Sequence, residues 1–219
     1  MDKKIEKYFI YYINCSHRED KNQSIRSILS SEGFSDGEYL RIDADYIKEN
    51  GHLGCARSHI RTIEKFIKSE HDCAIIIEDD LGWDLTGLMR YEFIERALDN
   101  KDWDVFILSG ATSDKFKTEI IDNSIVRVKG VSTTAFYLLR RDFCKRILDV
   151  YYESEKFLSE YPDLACQYAI DQNWKKLQNH HNFYAFNNAY INWGNGYFPG
   201  YQKQFFSDIE NVGLPERRW

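Results

Sequence analysis

The chain has 219 residues and a formal net charge of −6, and 43% of its residues are hydrophobic and 16% aromatic. This length and composition are typical of one globular domain and exclude a disordered chain. The acidic balance and the lack of a long Lys/Arg cluster argue against nucleic acid as the main partner. No apolar run reaches the length of a membrane span, and the charged N-terminus lacks a signal-peptide pattern. Since the five cysteines form no CxxC pair, we expect a cytoplasmic protein with reduced thiols.

Strand-like and helix-like segments alternate along the chain. Short runs of β-branched and aromatic residues predict strands, and apolar residues at helical spacing predict helices. The predicted strands cover residues 8–13, 38–42, 73–77, 105–108, 125–128 and 135–139. A first helix is predicted between the first two strands and ends near Gly33, and further helices are predicted at residues 54–69, 85–98, 143–152 and 168–177. This alternation predicts one α/β domain over residues 1–219, with a mixed, largely parallel sheet flanked by helices.

The apolar strand at residues 73–77 runs directly into three acids, Glu78, Asp79 and Asp80. Ligands of open α/β sheets bind outside the carboxyl ends of the strands. A hard cation such as Mg²⁺ or Mn²⁺ prefers oxygen ligands and shares them with phosphates. Since alternate side chains share a face, we expect Glu78 and Asp80 to converge while Asp79 points away. Asp80 is the first candidate for a metal ligand, and Asp79 or Glu78 is a second ligand or accepts a ribose hydroxyl; a water-facing acidic turn is the alternative.

Two segments near the N-terminus are candidates for binding a nucleotide. Asn14 and Arg18 follow the first strand, where a nucleotide lies in a doubly wound sheet, although Arg18 is equally typical of a surface charge. Gly51 and Gly54 precede a helix whose first N–H groups can bind an anion. The alternative is that these glycines shape a turn and allow close helix packing.

Polar groups that suit a ligand occur in three further segments of the chain. Ser58 and His59 lie one turn into that helix, and His59 is as typical of a hydrogen-bonded helix residue as of a ligand-facing one. Ser132 and Thr133 belong to a small, hydroxyl-rich turn that suits a sugar or phosphate, or an ordinary turn between strands. Asp171 begins a predicted helix, where it interacts favourably with the helix dipole or accepts a proton as a catalytic base.

Several segments, in order along the chain, resemble motifs of the family 25 glycosyltransferases, which include lipooligosaccharide and procollagen galactosyltransferases. The segment GHLGCARSH is similar to that family's G-x-x-G-C-x-x-S-H, and IIEDD is similar to its hydrophobic-E-D-D strand end. The resembling segments are residues 14–22, 51–59, 76–80, 169–171 and 204–209. The resemblance implies a Rossmann-like GT-A fold, a UDP-hexose donor and inversion of the anomeric centre. It also favours Asp171 as the base. His180 and His181 lie where GT-A enzymes often place a histidine that completes the metal shell, and His181 is the candidate; adjacent histidines on a polar loop are also typical of surface residues.

The sequence therefore predicts a metal-dependent, inverting glycosyltransferase that moves galactose or glucose from a UDP-sugar to a glycan or another hydroxyl acceptor. Residues 1–110 would bind the donor and residues 111–219 the acceptor, and a homodimer is left open. One alternative is a catalytically silent homologue that binds glycans or proteins. Another is a sugar nucleotidyltransferase, which would be expected to have a Gly-rich phosphate loop after the first strand, and this chain has none there.

Overall fold

The computed structural model describes residues 7–79, 93–100, 102–111 and 117–186. Asp80, most of the helix expected at residues 85–98 and the motif at residues 204–209 lie outside these described residues.

The described strands form one mixed sheet. They are β1 (Tyr8–Asn14), β2 (Tyr39–Asp43), β3 (Cys73–Glu78), β4 (Val105–Ala111), β5 (Lys117–Ile120), β6 (Ile125–Lys129), β7 (Ser132–Arg140) and β8 (Phe183–Phe186). Their order across the sheet is β2-β1-β3-β7-β4-β8-β6-β5. β6 and β7 run opposite to the other strands, which share one direction. This confirms the predicted α/β class with a mixed sheet, although β7 places an antiparallel strand in its middle.

Helices pack on both faces of the sheet. They are α1 (Glu19–Ser31), α2 (Gly51–Ile67), α3 (Arg96–Asp99), α4 (Cys144–Glu160), α5 (Ala165–Tyr168), α6 (Ile170–Asn173) and α7 (Lys175–Gln178), with 3₁₀ turns at Arg141–Phe143 and Pro162–Leu164. Within the described ranges, no helix has the length and apolar character needed to cross a membrane.

The pleat of β3 explains how its two faces are used. Ile76 packs in the core formed with α2 and α4, whereas Ile75 and Ile77 pack in the core formed with α1. All three side chains are completely buried, and each such burial contributes about 1.5–3 kcal/mol. Since successive side chains alternate, Glu78 lies on the α2 side, and the next residue, Asp79, lies on the α1 side. The acidic strand end is thereby divided between the two helices.

The later part of the chain differs from the sequence expectation in two respects. The continuous helix predicted at residues 168–177 is wrong, because Ala169 is extended with ψ 139° and separates α5 from α6. β8 was not predicted, although its four residues are buried between β4 and β6. Burial on both faces removes the alternation of apolar and polar residues by which a strand is recognised.

Candidate functional site

A pocket lies at the carboxyl ends of β1 and β3, beside the first turns of α2. Parallel strands β2, β1 and β3 end together at this edge of the sheet, which is where open α/β sheets bind ligands. The pocket is lined by Ile13, Cys15, Lys21, Ala44, Asp45, Tyr46, Ile47, Gly51, Gly54, Cys55, Ser58, His59, Glu78 and Asp79. The structure thus brings five predicted site residues, Gly54, Ser58, His59, Glu78 and Asp79, to one pocket.

Glu78 is held by groups from α2 and β7. Its Oε1 lies 3.0 Å from His59 Nε2 and accepts a hydrogen bond of 2.9 Å from Thr134 Oγ1. The other ring nitrogen of His59 lies 3.0 Å from the Tyr137 hydroxyl. Burial alone would raise the pKa of Glu78, but His59, Thr134 and the Lys21 charge together lower it below its ordinary value. Glu78 is therefore an ionised carboxylate in contact with the buried His59, which in turn contacts the buried Tyr137.

Asp79 is held by groups from β1 and α1. The Asn14 amide donates to Asp79 Oδ2 at 2.5 Å, and Lys21 Nζ lies 3.5 Å from Oδ1. The Lys21 and Asp79 side chains are 10% and 12% exposed. Burial raises the pKa of Asp79, and Lys21 and Asn14 only partly oppose this rise. Asp79 thus points away from His59, as expected from strand alternation, yet it still faces the pocket because the strand ends there.

Asn14, the last residue of β1, has a buried side-chain oxygen beside Asp79. Its amide nitrogen donates to Asp79 and to the Arg18 carbonyl oxygen, but its buried Oδ1 has no hydrogen-bond partner among the residues that the structure describes. A buried, unsatisfied oxygen is costly and commonly marks a place where an ion or water binds. Carboxylate oxygens of Glu78 and Asp79 lie on the same strand end, and oxygen donors of this kind suit a hard divalent cation. The oxygen donors of these described residues are therefore of the kind that Mg²⁺ or Mn²⁺ prefers.

The first turn of α2 is built for close packing. The Asn50 side chain caps the helix by accepting a hydrogen bond from Leu53 N at 3.1 Å, which satisfies one of the N–H groups that an anion would otherwise use. A Cβ atom at Gly54 would collide with the backbone carbonyl oxygen of Asp45. Ser58 ties the same loop to the helix, because its hydroxyl accepts from Asp45 N at 2.9 Å and donates to the Gly54 carbonyl at 2.7 Å. Gly54 and Ser58 therefore shape the pocket wall.

Asp171 is linked to Glu78 through two adjacent residues of β7. Asp171 Oδ2 accepts a hydrogen bond of 3.1 Å from the backbone N–H of Thr133, and the neighbouring Thr134 donates to Glu78. Thr133 has φ 79°, a left-handed conformation that is strained for a β-branched residue. Strain of this kind is found at functional sites when the surroundings impose it. The Gln172 amide also donates to Asp171 Oδ2 and lies 3.3 Å from the Ser132 hydroxyl.

Two sequence candidates lie apart from this cluster. The Arg18 guanidinium pairs with Asp20 at 2.8 Å, so the described contact of Arg18 with Asn14 comes from its backbone. His181 precedes β8, and its Nδ1 lies 3.9 Å from Asp104, which precedes β4. These are the amino ends of strands that run in the same direction as β3, so His181 lies at the opposite edge of the sheet from Glu78. The structure does not bring His181 to the acidic strand end.

Sequence reasoning missed Lys21 and Tyr137, and it included Thr134 in the hydroxyl-rich turn at residues 130–134 without giving it a role of its own. Lys21 has no local pattern that separates it from a surface residue, and it is buried where α1 meets the end of β3. Thr134 is buried because β7 lies beside β3 and places it against Glu78. Tyr137 reads as one of several aromatic strand residues. The sequence could have indicated that Cys55 lies beside His59, because four residues separate them on a helix and they therefore share a face.

No protein-family model and no curated protein matches this chain. Among solved structures, the nucleoside-diphosphate-sugar pyrophosphorylase from Vibrio cholerae is similar with a TM-score of 0.40 and 11% identity, over 82% of this chain and 72% of that chain. The 4-diphosphocytidyl-2C-methyl-D-erythritol synthase from Anaerococcus prevotii is similar with a TM-score of 0.38 and 12% identity, over 84% of this chain and 91% of that chain. These likenesses are too weak to assign an activity.

Proposed function

We propose that this protein is a divalent-cation-dependent, inverting glycosyltransferase that transfers galactose or glucose from a UDP-sugar to a hydroxyl group of a glycan or another acceptor. The observation that carries this proposal is that the acids at the end of β3 and the acid of α6, Asp171, are connected by hydrogen bonds through neighbouring residues of β7. Glu78 and Asp79 face one pocket at the strand ends, and Asp171 is tied to Glu78 through Thr133 and Thr134. The ordered resemblance to family 25 supplies the finer assignment, in which residues 1–110 bind the donor and residues 111–219 the acceptor.

The pocket residues supply the groups that donor binding requires. Glu78, Asp79 and Asp80 would hold Mg²⁺ or Mn²⁺, which when bound neutralises charge that develops on a departing diphosphate. Lys21 lines the pocket, and its ammonium group, 3.5 Å from Asp79, adds a positive charge near the acids, which attracts an anionic donor. Buried charges act more strongly here than in water because the surroundings are less polarisable. Lys21 therefore favours binding of the diphosphate over binding of a neutral sugar.

Asp171 would act as the base. As the acceptor oxygen attacks the anomeric carbon, the bond from that carbon to the diphosphate oxygen breaks, and the acceptor's proton passes to the Asp171 carboxylate. The Thr133 N–H and the Gln172 amide both donate to Asp171 Oδ2. Because these bonds use one oxygen of the carboxylate, they fix its orientation and leave the second oxygen to accept the proton. Orientation of this kind raises the rate by keeping the reacting atoms aligned.

A UDP-release assay with a panel of UDP-sugars, with Mn²⁺ and with excess EDTA, tests the proposal. We expect turnover with a UDP-hexose that requires the cation and that Asp80→Asn nearly abolishes. Asp43→Asn is the matched control, since Asp43 also ends a strand of this sheet but its side chain is 73% exposed and outside the pocket. Full activity in EDTA would contradict the metal role.

The alternative function, a silent homologue that binds glycans or proteins, gives a different result in the same assay. It predicts no UDP release with any donor, whereas binding of a glycan would still raise the melting temperature by mass action. The retention of Glu78, Asp79, Asp80 and Asp171 in the sequence favours the enzyme.

A further inference from the structure

Three side chains of different metal-binding chemistry converge in the pocket wall. The Cys55 sulfur, a ring nitrogen of His59 and a carboxylate oxygen of Glu78 all lie within 4.8 Å of one another. Cys55 and His59 share a face of α2 because four residues separate them, and the end of β3 brings Glu78 across from that face. All three residues line the pocket.

We propose that Cys55, His59 and Glu78 bind a zinc ion, with the fourth coordination position open to the pocket. A thiolate and an imidazole are preferred ligands of Zn²⁺ and poor ligands of Mg²⁺ or Mn²⁺. Three protein ligands with one open position are typical of zinc sites that also bind water or a substrate. This site shares Glu78 with the oxygen-rich set of Glu78, Asp79 and Asp80 but adds sulfur and nitrogen donors, and it is independent of which sugar is transferred.

The separations are close to those that zinc requires. Bond lengths of about 2.3 Å to sulfur and about 2.0–2.1 Å to nitrogen or oxygen place tetrahedral ligand atoms about 3.3–3.6 Å apart. His59 Nε2 and Glu78 Oε1 are already 3.0 Å apart, so they need to separate only slightly. Cys55 is half-buried, and rotation about its χ1 angle moves the sulfur without moving α2. Side-chain adjustment alone therefore closes the site.

The groups behind the ligands support a metal-bound state. A zinc-binding histidine usually donates from its other ring nitrogen to a fixed acceptor. Here Nδ1 of His59 lies 3.0 Å from the hydroxyl of Tyr137, which is completely buried. Glu78 likewise receives the Thr134 hydroxyl at 2.9 Å. With zinc on Nε2, the ring carries its proton on Nδ1 and donates it to Tyr137, which keeps the buried hydroxyl paired.

A simpler explanation is that His59 and Glu78 form a structural hydrogen bond and that Cys55 is a packing residue in the wall of the pocket. That explanation predicts no metal binding through sulfur. Cobalt(II) distinguishes the two, because it occupies zinc sites and its bond to a thiolate gives a charge-transfer absorption band. The band reports the Cys55 contact directly and requires no enzyme activity.

The test is a Co²⁺ titration of the full chain after treatment with a chelator, followed by displacement with Zn²⁺. We expect the charge-transfer band to saturate at one equivalent and to disappear on addition of zinc. Cys55→Ser should remove the band, while Cys166→Ser, at an exposed cysteine outside the pocket, should keep it. Tyr137→Phe should keep the band and weaken zinc affinity about 10–100-fold, as loss of an outer hydrogen bond does at other metal sites.

Two results would overturn the zinc proposal. One is the absence of a thiolate band in the unaltered protein, which does not depend on how any variant folds. The other is a band that persists in Cys55→Ser or is lost in Cys166→Ser. Asp80→Asn should leave the cobalt band unchanged, since Asp80 is not one of the three ligands. Failure of the glycosyltransferase proposal and failure of the zinc proposal are therefore distinguishable.

Discussion

Gly54→Ala is the substitution whose effect follows most directly from the structure. The added methyl group would collide with the carbonyl oxygen of Asp45 and would lie 3.4 Å from both the carbonyl carbon of Asp45 and the amide nitrogen of Ile47. These are backbone atoms, so no side chain can rotate away to make room. The loop that carries Asp45 must move away from α2, which strains the hydrogen bond from Asp45 N to Ser58.

The expected magnitude combines two opposing effects. Overpacking costs about 1–3 kcal/mol, whereas alanine is favoured over glycine within a helix by about 1 kcal/mol. Because the colliding atoms are backbone, we take the upper part of the overpacking range and expect Gly54→Ala to lower the free energy of unfolding by about 1–2 kcal/mol. The loop also lines the pocket, so UDP affinity should fall as well.

Urea unfolding of the variant measures this change, and Gly37→Ala is the control. A Cβ atom at Gly37 would meet nothing within 4 Å, so this variant should be neutral or more stable by about 0.4–1 kcal/mol. If Gly54→Ala proved as stable as the unaltered protein, with unchanged UDP binding, the close approach of α2 to Asp45 would be refuted.

Three other predictions concern the acids and the strained turn. Thr133→Gly relieves the left-handed strain at that residue and should raise the free energy of unfolding, measured in urea, by up to about 1 kcal/mol. Thr134→Gly loses the hydrogen bond to Glu78 and should lower the free energy of unfolding. If both variants lowered it equally, the strain at Thr133 would be contradicted. Asp171→Asn should lower kcat about 10²–10⁴-fold with UDP affinity unchanged, and near-normal turnover would end its case as the base. Burial raises the pKa of Asp79, so its contribution to stability is fully present below its unfolded-state pKa and is lost as pH rises through the folded-state pKa. Asp79→Asn should remove this decline from a pH series of unfolding measurements, and an unchanged difference between the two proteins at all pH values would contradict it.

The sequence alone determined the local features of this protein. The apolar run of β3 is long enough for a strand and has no polar residue, so burial on both faces follows directly from its composition. The acids that follow it, Glu78 and Asp79, occupy a strand end whatever the rest of the fold does. Because successive side chains of a strand point to opposite faces, local geometry also predicted that Glu78 and Asp79 point in opposite directions. The helical spacing of apolar residues in α2 likewise predicted a buried face. Ala56, Ile60 and Ile63 are buried as expected, whereas Ile67, at the end of the helix, is exposed.

Only the tertiary structure decided which distant groups meet at that strand end. β7 lies beside β3, and this neighbour brings Thr134 to Glu78 and Thr133 to Asp171, although 38 residues separate the last two. Local periodicity indicates which face of an element is buried, but it does not encode the order of strands across a sheet. The pairing of Lys21 with Asp79 and the approach of Cys55 to Glu78 depend on that order in the same way. The chemistry of the site therefore follows from packing between elements that are far apart in the chain.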